Sequence, residues 1–516
     1  MAARQQAAGS AEEIEIDQPS APPEHARAGW GRPDWLILAG VVAIAAIVRI
    51  VSLGRPVGLV FDEIFYAVDG CFYVEGNPDV CGVSELTART HPPLGKWIIG
   101  AGIKLFGFDE FGWRITAALA GTLTVAIVVV LAWRLLRPIV PPLAARLGAA
   151  AAGLLLAVDF LSIVQSRVAM LDIFVAMFDA AAILFVVLDR DRARAAEGPP
   201  TMIDRLTLGR PWRFAAGASL GAATAVKWSG AYAALAVVLL VAAWEIAARL
   251  DERGVGSAIR RAVRAELPRS LVLLGVVPLA IYLASYIGRM PGEVIGLPWQ
   301  AGTFWNNWWT HQRAMLDFHT NLSGHHPYES PPWSWLLLKR PVAYFFTDAG
   351  GAYREILALG NPVTWWPGAL ALLGGIGLFV AGRASLPRKL LERPEPVLLI
   401  GALATYGPWL VLSGSRSQVF LWYLLPTIPF LCIALALAAI WAWQWTAGRV
   451  AVGVLAVAIV ASVAWFGPLV VALPLDPDGW RSRIPFTDCA RPDGSSQELP
   501  DDQTSSGMPP AGWCWI

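Results

Sequence analysis

The sequence contains few charged residues for its length. Asp, Glu, Lys and Arg together make up 15% of the 516 residues, whereas about 25% is usual in soluble proteins. Apolar runs of about 20 residues, the length that a helix needs to cross a bilayer, recur along the chain, and the mean hydropathy is +0.52. This composition excludes an ordinary soluble domain. It predicts an all-α, multi-pass membrane protein, because helices satisfy their own backbone hydrogen bonds inside the bilayer.

A strong charge of either sign and the common nucleotide-binding motifs are also missing. The 40 basic and 39 acidic residues leave a net charge of +1, which gives no indication of a nucleic-acid partner. The sequence has no P-loop, no G-x-G-x-x-G after a strand, no H-E-x-x-H motif and no convincing internal repeat. We therefore expect any donor substrate to come from within the membrane or from its outer side.

The first 34 residues are polar and acidic, as in "SAEEIEIDQPSAPPEHA". They lack the basic start, the short apolar stretch and the small-residue cleavage site of a secretory signal peptide. A segment with so little apolar surface does not form a packed core. We expect residues 1–34 to be a disordered cytoplasmic tail, followed by a transmembrane domain at 35–472 and an extracytoplasmic tail at 473–516.

Eleven apolar runs are candidates for transmembrane helices. They lie at 35–53, 113–136, 146–159, 169–188, 214–226, 230–248, 270–288, 364–382, 396–413, 418–443 and 450–472. Arginine and lysine are concentrated in four connections between these runs, and positively charged connections usually stay in the cytoplasm. The four connections are residues 137–146, 189–213, 249–269 and 383–394. About 11 spans with this charge distribution place the N-terminus inside and the C-terminus outside.

This orientation assigns several segments to the outer side of the membrane. They are the loop 54–112, the turn around 160–168, the loop 289–363 and the tail 473–516. Four of the five cysteines fall in these segments as two pairs, Cys71 with Cys81 and Cys489 with Cys514. Such pairs suit disulfides in an oxidising compartment, but the sequence alone leaves open whether they form.

The stretch "GLVFDEIFYAVDG" places two adjacent acids, Asp62 and Glu63, among apolar and aromatic residues. Asp62 is in position to cap the N-terminus of a helix that starts here. An acid beside apolar surface also has a raised pKa, which suits a general base. The residues by themselves leave both roles open.

Cationic and titratable residues lie on both sides of this pair along the chain. In "THPPLGKW" the two prolines fix the chain before a helix, so His91 and Lys96 lie near a helix N-terminus, which favours phosphate. Arg114 opens the second apolar run and needs an anionic partner there. Arg49 ends the first run. The alternatives are an interface anchor for Arg49 and an amphipathic interfacial helix for the segment that contains Lys96.

Further candidates lie later in the sequence. Gln165, Arg167 and Asp172 lie between two predicted spans in "VQSRVAMLDIF", where an Arg167–Asp172 ion pair would be structural or substrate-binding. Lys227, in "AVKWSG", lies at the outer end of a short run and reaches either a lipid phosphate or the interface. The adjacent histidines at 325–326 are weak metal ligands, because no cysteine or suitably spaced carboxylate accompanies them.

Together these motifs resemble the protein O-mannosyltransferase family, in particular its bacterial, actinobacterial-type members. The matching pieces, in the family's order, are "FDE", "HPPLGK", "WRITAALAG", "QSRVAMLD", "AVKWSG", "HPYESPPWSWLLLKRPVAYFF", "GNPVTWW" and "FLWYLLPTIPFL". They extend from about residue 35 to residue 443. The β-trefoil MIR domain of eukaryotic members is absent, because the 75 residues at 289–363 are too few to hold it. Bacterial members characteristically lack it too.

The resemblance implies a C-type glycosyltransferase fold with its active site on the extracytoplasmic face. The implied donor is polyprenyl-phosphate-mannose, and the implied acceptor is a Ser or Thr hydroxyl in an unfolded secreted protein. The family's acidic pair falls on Asp62 and Glu63, with Asp62 as the base of an inverting transfer, and its functional arginines fall on Arg49 and Arg114. The other matched positions are assigned by charge alone: His91, Lys96 and Lys227 to the donor phosphate, with Gln165, Arg167 and Asp172 as further candidates.

No cofactor is required if cationic side chains neutralise the leaving phosphate, although a divalent metal is an alternative. The nearest rival function is a lipid-phosphate-sugar transferase that acts on a glycolipid or cell-wall glycan. A transporter would need charges along a path through the spans, whereas Asp172 and Asp179 are the main acids inside one. We expect a multi-pass protein of the plasma membrane, with the lipid bilayer and a secretion channel as partners.

Overall fold

The computed structural model describes residues 30–82, 90–195, 201–290, 293–295, 303–322, 324, 326, 328–382, 385–412 and 418–484. Most of the predicted N-terminal tail, His325, and the C-terminal segment with Cys489 and Cys514 lie outside these residues.

Helices make up most of the described chain. Numbered in chain order, they are α1 (Arg32–Ile50), α2 (Glu63–Glu75), α3 (Pro78–Cys81), α4 (Leu94–Phe106), α5 (Glu110–Leu136), α6 (Pro142–Ala157), α7 (Phe160–Arg167), α8 (Asp172–Ala195), α9 (Met202–Leu206), α10 (Pro211–Val226), α11 (Tyr232–Ala247), α12 (Gly254–Leu271), α13 (Val277–Ala284), α14 (Thr303–Asn321), α15 (Pro362–Ala381), α16 (Leu386–Glu392), α17 (Glu395–Leu412), α18 (Ile428–Ala442), α19 (Thr446–Val470) and α20 (Pro477–Arg481). Short 3₁₀ segments occur at Trp228–Ala231, Pro332–Ser334 and Leu421–Thr427, and a π-helical turn, Val272–Val276, joins α12 to α13. Two antiparallel hairpins consist of β1 (Gly288–Met290) with β2 (Glu293–Ile295), and β3 (Val342–Asp348) with β4 (Tyr353–Ala358).

Eight helices of the described residues are long and apolar enough to cross a membrane. They are α1, α5, α15, α17, α19 and the composite helices Trp228–Ala247, Gly254–Ala284 and Leu421–Ala442. The pair α6 and α7, bent by 58°, makes a ninth if it is one span. Of the eleven predicted runs, the other two also form helices. However, α8 carries several acids and α10 has only 16 residues, so the count of eleven and the orientation stay predictions.

Two segments expected as connections are helical instead. Residues 160–168 form α7 rather than a turn, because the Asp159 carboxylate accepts a hydrogen bond from the Ser162 N–H (2.9 Å) and caps a new helix. Most of the connection 249–269 forms α12, which continues into the next span. Its buried residues Ala258, Ala262 and Glu266 recur every four positions, so one face of α12 packs inward.

Ion pairs join α8 and α10 at both ends. Asp172 at the start of α8 pairs with Lys227, which follows the end of α10, and Asp189 near the other end of α8 pairs with Arg213 near the start of α10. The two helices are therefore antiparallel. The two pairs are 17 residues apart along α8, or about 25 Å at 1.5 Å per residue. Such a separation approaches the hydrocarbon thickness of a bilayer.

The described residues of the predicted outer loop, 54–82 and 90–112, form a helical unit that contains α2, α3 and α4. A disulfide joins Cys71 in α2 to Cys81 in α3, with the two Cα atoms 5.7 Å apart. Helices α2 and α4 pack closely at Gly70 and Gly100, where a Cβ on Gly100 would lie 2.6 Å from the Gly70 carbonyl oxygen. This unit carries the acidic pair at its first turn.

Candidate active site

Asp62 lies at the N-terminus of α2 but does not act as a cap. Among the described residues, its carboxylate makes no hydrogen bond to the N–H groups of the first turn. Instead it hydrogen-bonds the Tyr66 hydroxyl, one turn further along the helix. The side chain is half-buried, and of the two roles that the sequence left open, the capping one is therefore not seen.

The surroundings of Asp62 give its carboxyl group an unusual proton affinity. Burial raises the pKa of Asp62 to about 6, and the neighbouring Asp172 adds to this effect. The charge of Lys227 and the Tyr66 hydroxyl oppose it by stabilising the ionised form. A carboxylate with this pKa is largely ionised at neutral pH and still holds a proton more firmly than an exposed aspartate, which suits a general base.

Glu63, the second acid of the pair, is fully buried and held by four hydrogen bonds. Its Oε1 accepts from Arg114 Nε (2.8 Å) and the Ala169 N–H (2.9 Å). Its Oε2 accepts from Arg114 Nη2 (2.8 Å) and the Val60 N–H (2.8 Å). The pairing with Arg114 is bidentate, the geometry in which carboxylate and guanidinium interact most strongly. The two adjacent acids therefore have different environments. Asp62 is half-buried, whereas Glu63 is fully buried and both of its carboxylate oxygens accept hydrogen bonds.

Arg114 uses all five of its N–H groups inside the protein. Besides Glu63, they donate to the carbonyl oxygens of Leu53 (3.3 Å), Pro56 (2.8 Å) and Gly58 (2.9 Å). These contacts fix the chain that leads from α1 to Asp62. A contact of Arg114 with a donor phosphate would require one of these bonds to break, and that expected role stays a prediction.

Arg49 is likewise occupied by the protein and is fully buried. Its five N–H groups donate to Ser162 Oγ (2.9 Å), Ser166 Oγ (3.2 Å) and three main-chain carbonyls of α1 and α6. It thereby ties α1 to the bend between α6 and α7. Full burial does not fit the interface-anchor role considered for Arg49, whereas its expected contact with the donor phosphate stays a prediction.

Arg167 hydrogen-bonds the main-chain carbonyls at the C-terminal end of α1 instead of pairing with Asp172. Its Nη1 donates to the carbonyls of Val48 (3.1 Å), Arg49 (3.1 Å) and Val51 (2.8 Å), and its Nη2 to that of Ser52 (3.1 Å). Such carbonyls are left without partners at a helix end, and a cation there also complements the helix dipole. The considered Arg167–Asp172 ion pair is therefore absent from the described structure.

Asp172 pairs with Lys227. The Lys227 ammonium lies 2.9 and 3.1 Å from the two Asp172 oxygens, and both side chains are buried. The ammonium also lies 4.2 Å from the centre of the Tyr423 ring, which adds a cation–π contact. Burial in this pair rules out the interface-anchor role for Lys227. Because the charges of both residues act on Asp62, the pair belongs to the same site.

Aromatic residues from the C-terminal half pack against Phe61, the residue before Asp62. The Tyr344 ring stacks on Phe61 with centroids 4.2 Å apart, and Trp422 contacts both rings edge-on. The Gln165 amide nitrogen donates to the Tyr344 hydroxyl (2.6 Å), so this candidate residue contacts the aromatic group through its amide N–H. Within the described residues, Gln165 Oε1 is buried without a hydrogen-bond partner.

The remaining two candidates lie beside α2. Lys96 in α4 forms a buried ion pair with Asp69 in α2 (2.7 Å), so it joins these two helices. The His91 ring lies 6.1 Å from that of Tyr66 and 5.6 Å from that of His319 in α14. His91 therefore stands next to the tyrosine that hydrogen-bonds Asp62, whereas Lys96 serves the packing of α4 on α2.

The sequence did not point to Tyr66, Tyr344 or Tyr423 as site residues. Tyr66 was detectable in principle, because it lies four residues after Asp62 and so on the same face of α2. The other two belong to recognised motif pieces, but only the fold brings them to Asp62. In the part of the chain that the structure describes, no group of three or more His, Cys, Asp or Glu residues could hold a metal ion.

Two protein-family models together match most of the chain. Residues 40–291 match the family model described as dolichyl-phosphate-mannose-protein mannosyltransferase, and residues 304–487 match that of the C-terminal four TMM region of protein-O-mannosyltransferase. The polyprenol-phosphate-mannose–protein mannosyltransferase of Mycolicibacterium smegmatis is 31% identical over 500 residues, which covers 87% of this chain and 92% of that protein. Its Mycobacterium tuberculosis counterpart is 30% identical over 496 residues, with coverage of 87% and 91%.

Two solved structures are similar in fold. The Saccharomyces cerevisiae protein O-mannosyltransferase Pmt1–Pmt2 complex bound to the sugar donor has a TM-score of 0.68 at 16% identity, covering 89% of this chain and 93% of that chain. ArnT from Cupriavidus metallidurans bound to undecaprenyl phosphate has a TM-score of 0.52 at 19% identity, covering 85% and 65%. These similarities confirm the predicted C-type glycosyltransferase fold of a multi-pass membrane protein.

Proposed function

This chain belongs to the dolichyl-phosphate-mannose–protein mannosyltransferase family and is a protein O-mannosyltransferase, and we propose that Asp62 is its general base. The proposed reaction transfers mannose from polyprenyl-phosphate-mannose to Ser or Thr hydroxyls of secreted proteins. The observation that carries the assignment is the half-buried Asp62 carboxylate, with its pKa raised to about 6, beside the Lys227–Asp172 pair.

The chemistry follows from what each bond change requires. A serine or threonine hydroxyl is a weak nucleophile at neutral pH, so Asp62 takes its proton as the oxygen bonds to the anomeric carbon. The bond from that carbon to the phosphate oxygen breaks, and its electron pair leaves with the lipid phosphate. Attack from the side opposite the phosphate inverts the anomeric carbon. Only one carboxylate is needed as a base, and the carboxylate of Glu63 is already bound to Arg114.

Lys227 is the cation that we assign to the leaving phosphate. The guanidinium groups of Arg49 and Arg114 are used within the protein, and Lys96 is buried with Asp69. Lys227 is also buried and paired, with Asp172, but its charge acts on the carboxyl group of the proposed base, Asp62. A fixed positive charge at this place stabilises the negative charge that develops as the phosphate leaves. Asp172 holds this charge in position, and no metal is needed for the step.

The Cys71–Cys81 disulfide supports an extracytoplasmic active site. It lies in the same helical unit as Asp62, and disulfides persist in oxidising compartments but rarely in the cytoplasm. The arginine-rich connections 189–213 and 249–269 favour the opposite side of the membrane for those segments. We therefore propose an enzyme of the plasma membrane that acts on unfolded acceptor proteins as they leave the secretion channel. For this reason we also propose that the enzyme associates with that channel.

The test compares mannose transfer from polyprenyl-phosphate-mannose to an acceptor peptide by wild-type membranes and by Asp62→Asn at equal protein levels. We expect the variant to bind donor normally and to lose at least about a hundredfold in transfer rate, the usual contribution of a general base. Asp79→Asn, at an exposed acid of the same loop, is the matched control and should retain activity.

Three other outcomes would each contradict one part of the proposed function. Full activity of Asp62→Asn would exclude Asp62 as the base. Transfer to a glycolipid but not to the peptide by the wild type would assign the acceptor to the rival class. A product with the same anomeric configuration as the donor would exclude the single displacement.

A further inference from the structure

Phe61, the residue immediately before Asp62, has a backbone conformation that bulky residues rarely adopt. Its φ is +52°, in the left-handed region. A non-glycine residue stays in this region only where its surroundings hold it, and such residues are enriched at functional sites. The conformation matters here because it sets the direction in which the chain enters Asp62 and α2.

Two aromatic side chains hold Phe61. The Tyr344 ring lies parallel to it, with a centroid distance of 4.2 Å and an interplanar angle of 5°. The Trp422 ring meets Phe61 edge-on at 5.5 Å and 87°, and it meets Tyr344 edge-on at 5.7 Å. The phenylalanine is therefore held on its face and on its edge by groups more than 280 residues away in the sequence.

Tyr344 reaches this position through an irregularity of the β3–β4 hairpin. Ala343 faces Leu357 and Phe345 faces Ile356, so β3 contains one residue more than β4, and that extra residue is Tyr344. Such a bulge changes the direction of a side chain relative to regular alternation. The hydroxyl is then fixed by the Gln165 amide at 2.6 Å, and both side chains are buried.

We propose that Tyr344 is a positioning residue, which orients the Asp62 carboxylate toward the acceptor hydroxyl by clamping Phe61. This inference rests on the proposed role of Asp62 as the base. A displacement of about 1 Å of a catalytic group lowers a rate by about a hundredfold. Loss of the clamp therefore slows the chemical step while the lipid donor still binds.

The experiment is a double-mutant cycle on transfer kinetics with Tyr344→Leu, Phe61→Leu and both changes together. Each single variant is expected to lower kcat by about tenfold or more and to change the donor KM by less than about twofold, since only the carboxylate direction is disturbed. The double variant should be no slower than the slower single, because both changes remove the same contact. Tyr344→Phe keeps the stacked ring and should retain most of kcat.

Tyr353→Leu is the matched control. Tyr353 lies on β4 of the same hairpin, but its ring contacts Phe346 and Trp480 instead of Phe61. The variant should have near-normal kcat, and its effect should multiply with that of Phe61→Leu. Protein levels and melting temperatures are compared for all variants. If Tyr344→Leu does not accumulate, Tyr344→Met, which also lacks a ring, takes its place with the same expectation.

A wild-type kcat in Tyr344→Leu, or losses that multiply in the double variant, would overturn the positioning role. If Asp62→Asn is inactive while the Tyr344 and Phe61 losses multiply, only this inference fails. If Asp62→Asn is active, the proposed base and the positioning role fail together.

Discussion

The Lys227 ammonium lies 2.9 Å and 3.1 Å from the two carboxylate oxygens of Asp172, and both side chains are buried where α8 begins and α10 ends. A buried lysine without an anionic partner tends to lose its proton, whereas an adjacent carboxylate favours the charged form. The pair therefore holds the Lys227 ammonium in a position from which its charge acts on Asp62. Lys227 and Asp172 lie 55 residues apart in the sequence.

Replacement of both Lys227 and Asp172 should abolish mannose transfer from the lipid donor without unfolding the protein. Each single change, Lys227→Met or Asp172→Asn, leaves one buried polar group unmatched and is expected to lower stability by about 3–5 kcal/mol. The double variant should regain most of the melting temperature, because no unpaired charge remains, but not the transfer activity. Lys104→Met, at an exposed pair with Glu75, is the control. A double variant with wild-type activity would exclude Lys227 from the phosphate site.

Arg114→Lys should act on stability first. Lysine has three N–H donors and no planar fork, so it cannot replace the five hydrogen bonds that Arg114 makes to Glu63 and to three carbonyls. We expect a melting temperature lower by several degrees, with activity lost in proportion to the folded fraction. Arg313→Lys, at an exposed arginine of α14, should change neither. A stable Arg114→Lys that no longer binds donor would support the phosphate-binding role.

The pH dependence of transfer should follow the ionisation of Asp62. The base must be ionised to accept a proton, and the pKa of Asp62 is raised to about 6, so the rate should be level above pH 7 and fall as the pH drops through about 6. The Tyr66 hydroxyl stabilises the ionised form, so Tyr66→Phe should raise the pKa and move the acid limb to higher pH. Tyr73→Phe in the same helix is the control. An acid limb that Tyr66→Phe leaves in place would contradict this assignment.

The Cys71–Cys81 disulfide should stabilise the helical unit formed by α2, α3 and α4. A cross-link between residues ten positions apart is expected to contribute about 3 kcal/mol through the unfolded chain. Cys71→Ser with Cys81→Ser should therefore melt at a lower temperature, and a reductant should lower the melting temperature of the wild type but not of this variant. Thiol labelling of both cysteines in unreduced wild-type protein would contradict the disulfide and remove its support for an extracytoplasmic site.

The sequence by itself determined the class of the protein and the outline of its site. Apolar runs are visible without a structure because a bilayer requires long uncharged helices, and every predicted run is helical in the structure at about the predicted place. Adjacent motif pieces identified the family, and the spacing of Cys71 and Cys81 allowed a disulfide. Local signals of this kind depend on residues close together in the chain, which is why they could be read directly.

Only the tertiary structure decided what each charged side chain does. Arg49 and Arg114 have the motif positions of ligand-binding residues, yet all their donors are taken by carbonyls, hydroxyls and Glu63 that the fold brings within about 3 Å. Asp172 has Arg167 five residues away but pairs with Lys227. Tyr344 reaches Phe61 from the far end of the chain through one extra residue in a strand. Hydrogen bonds and ion pairs act over a few ångströms, so their partners are set by the packing of distant helices and strands.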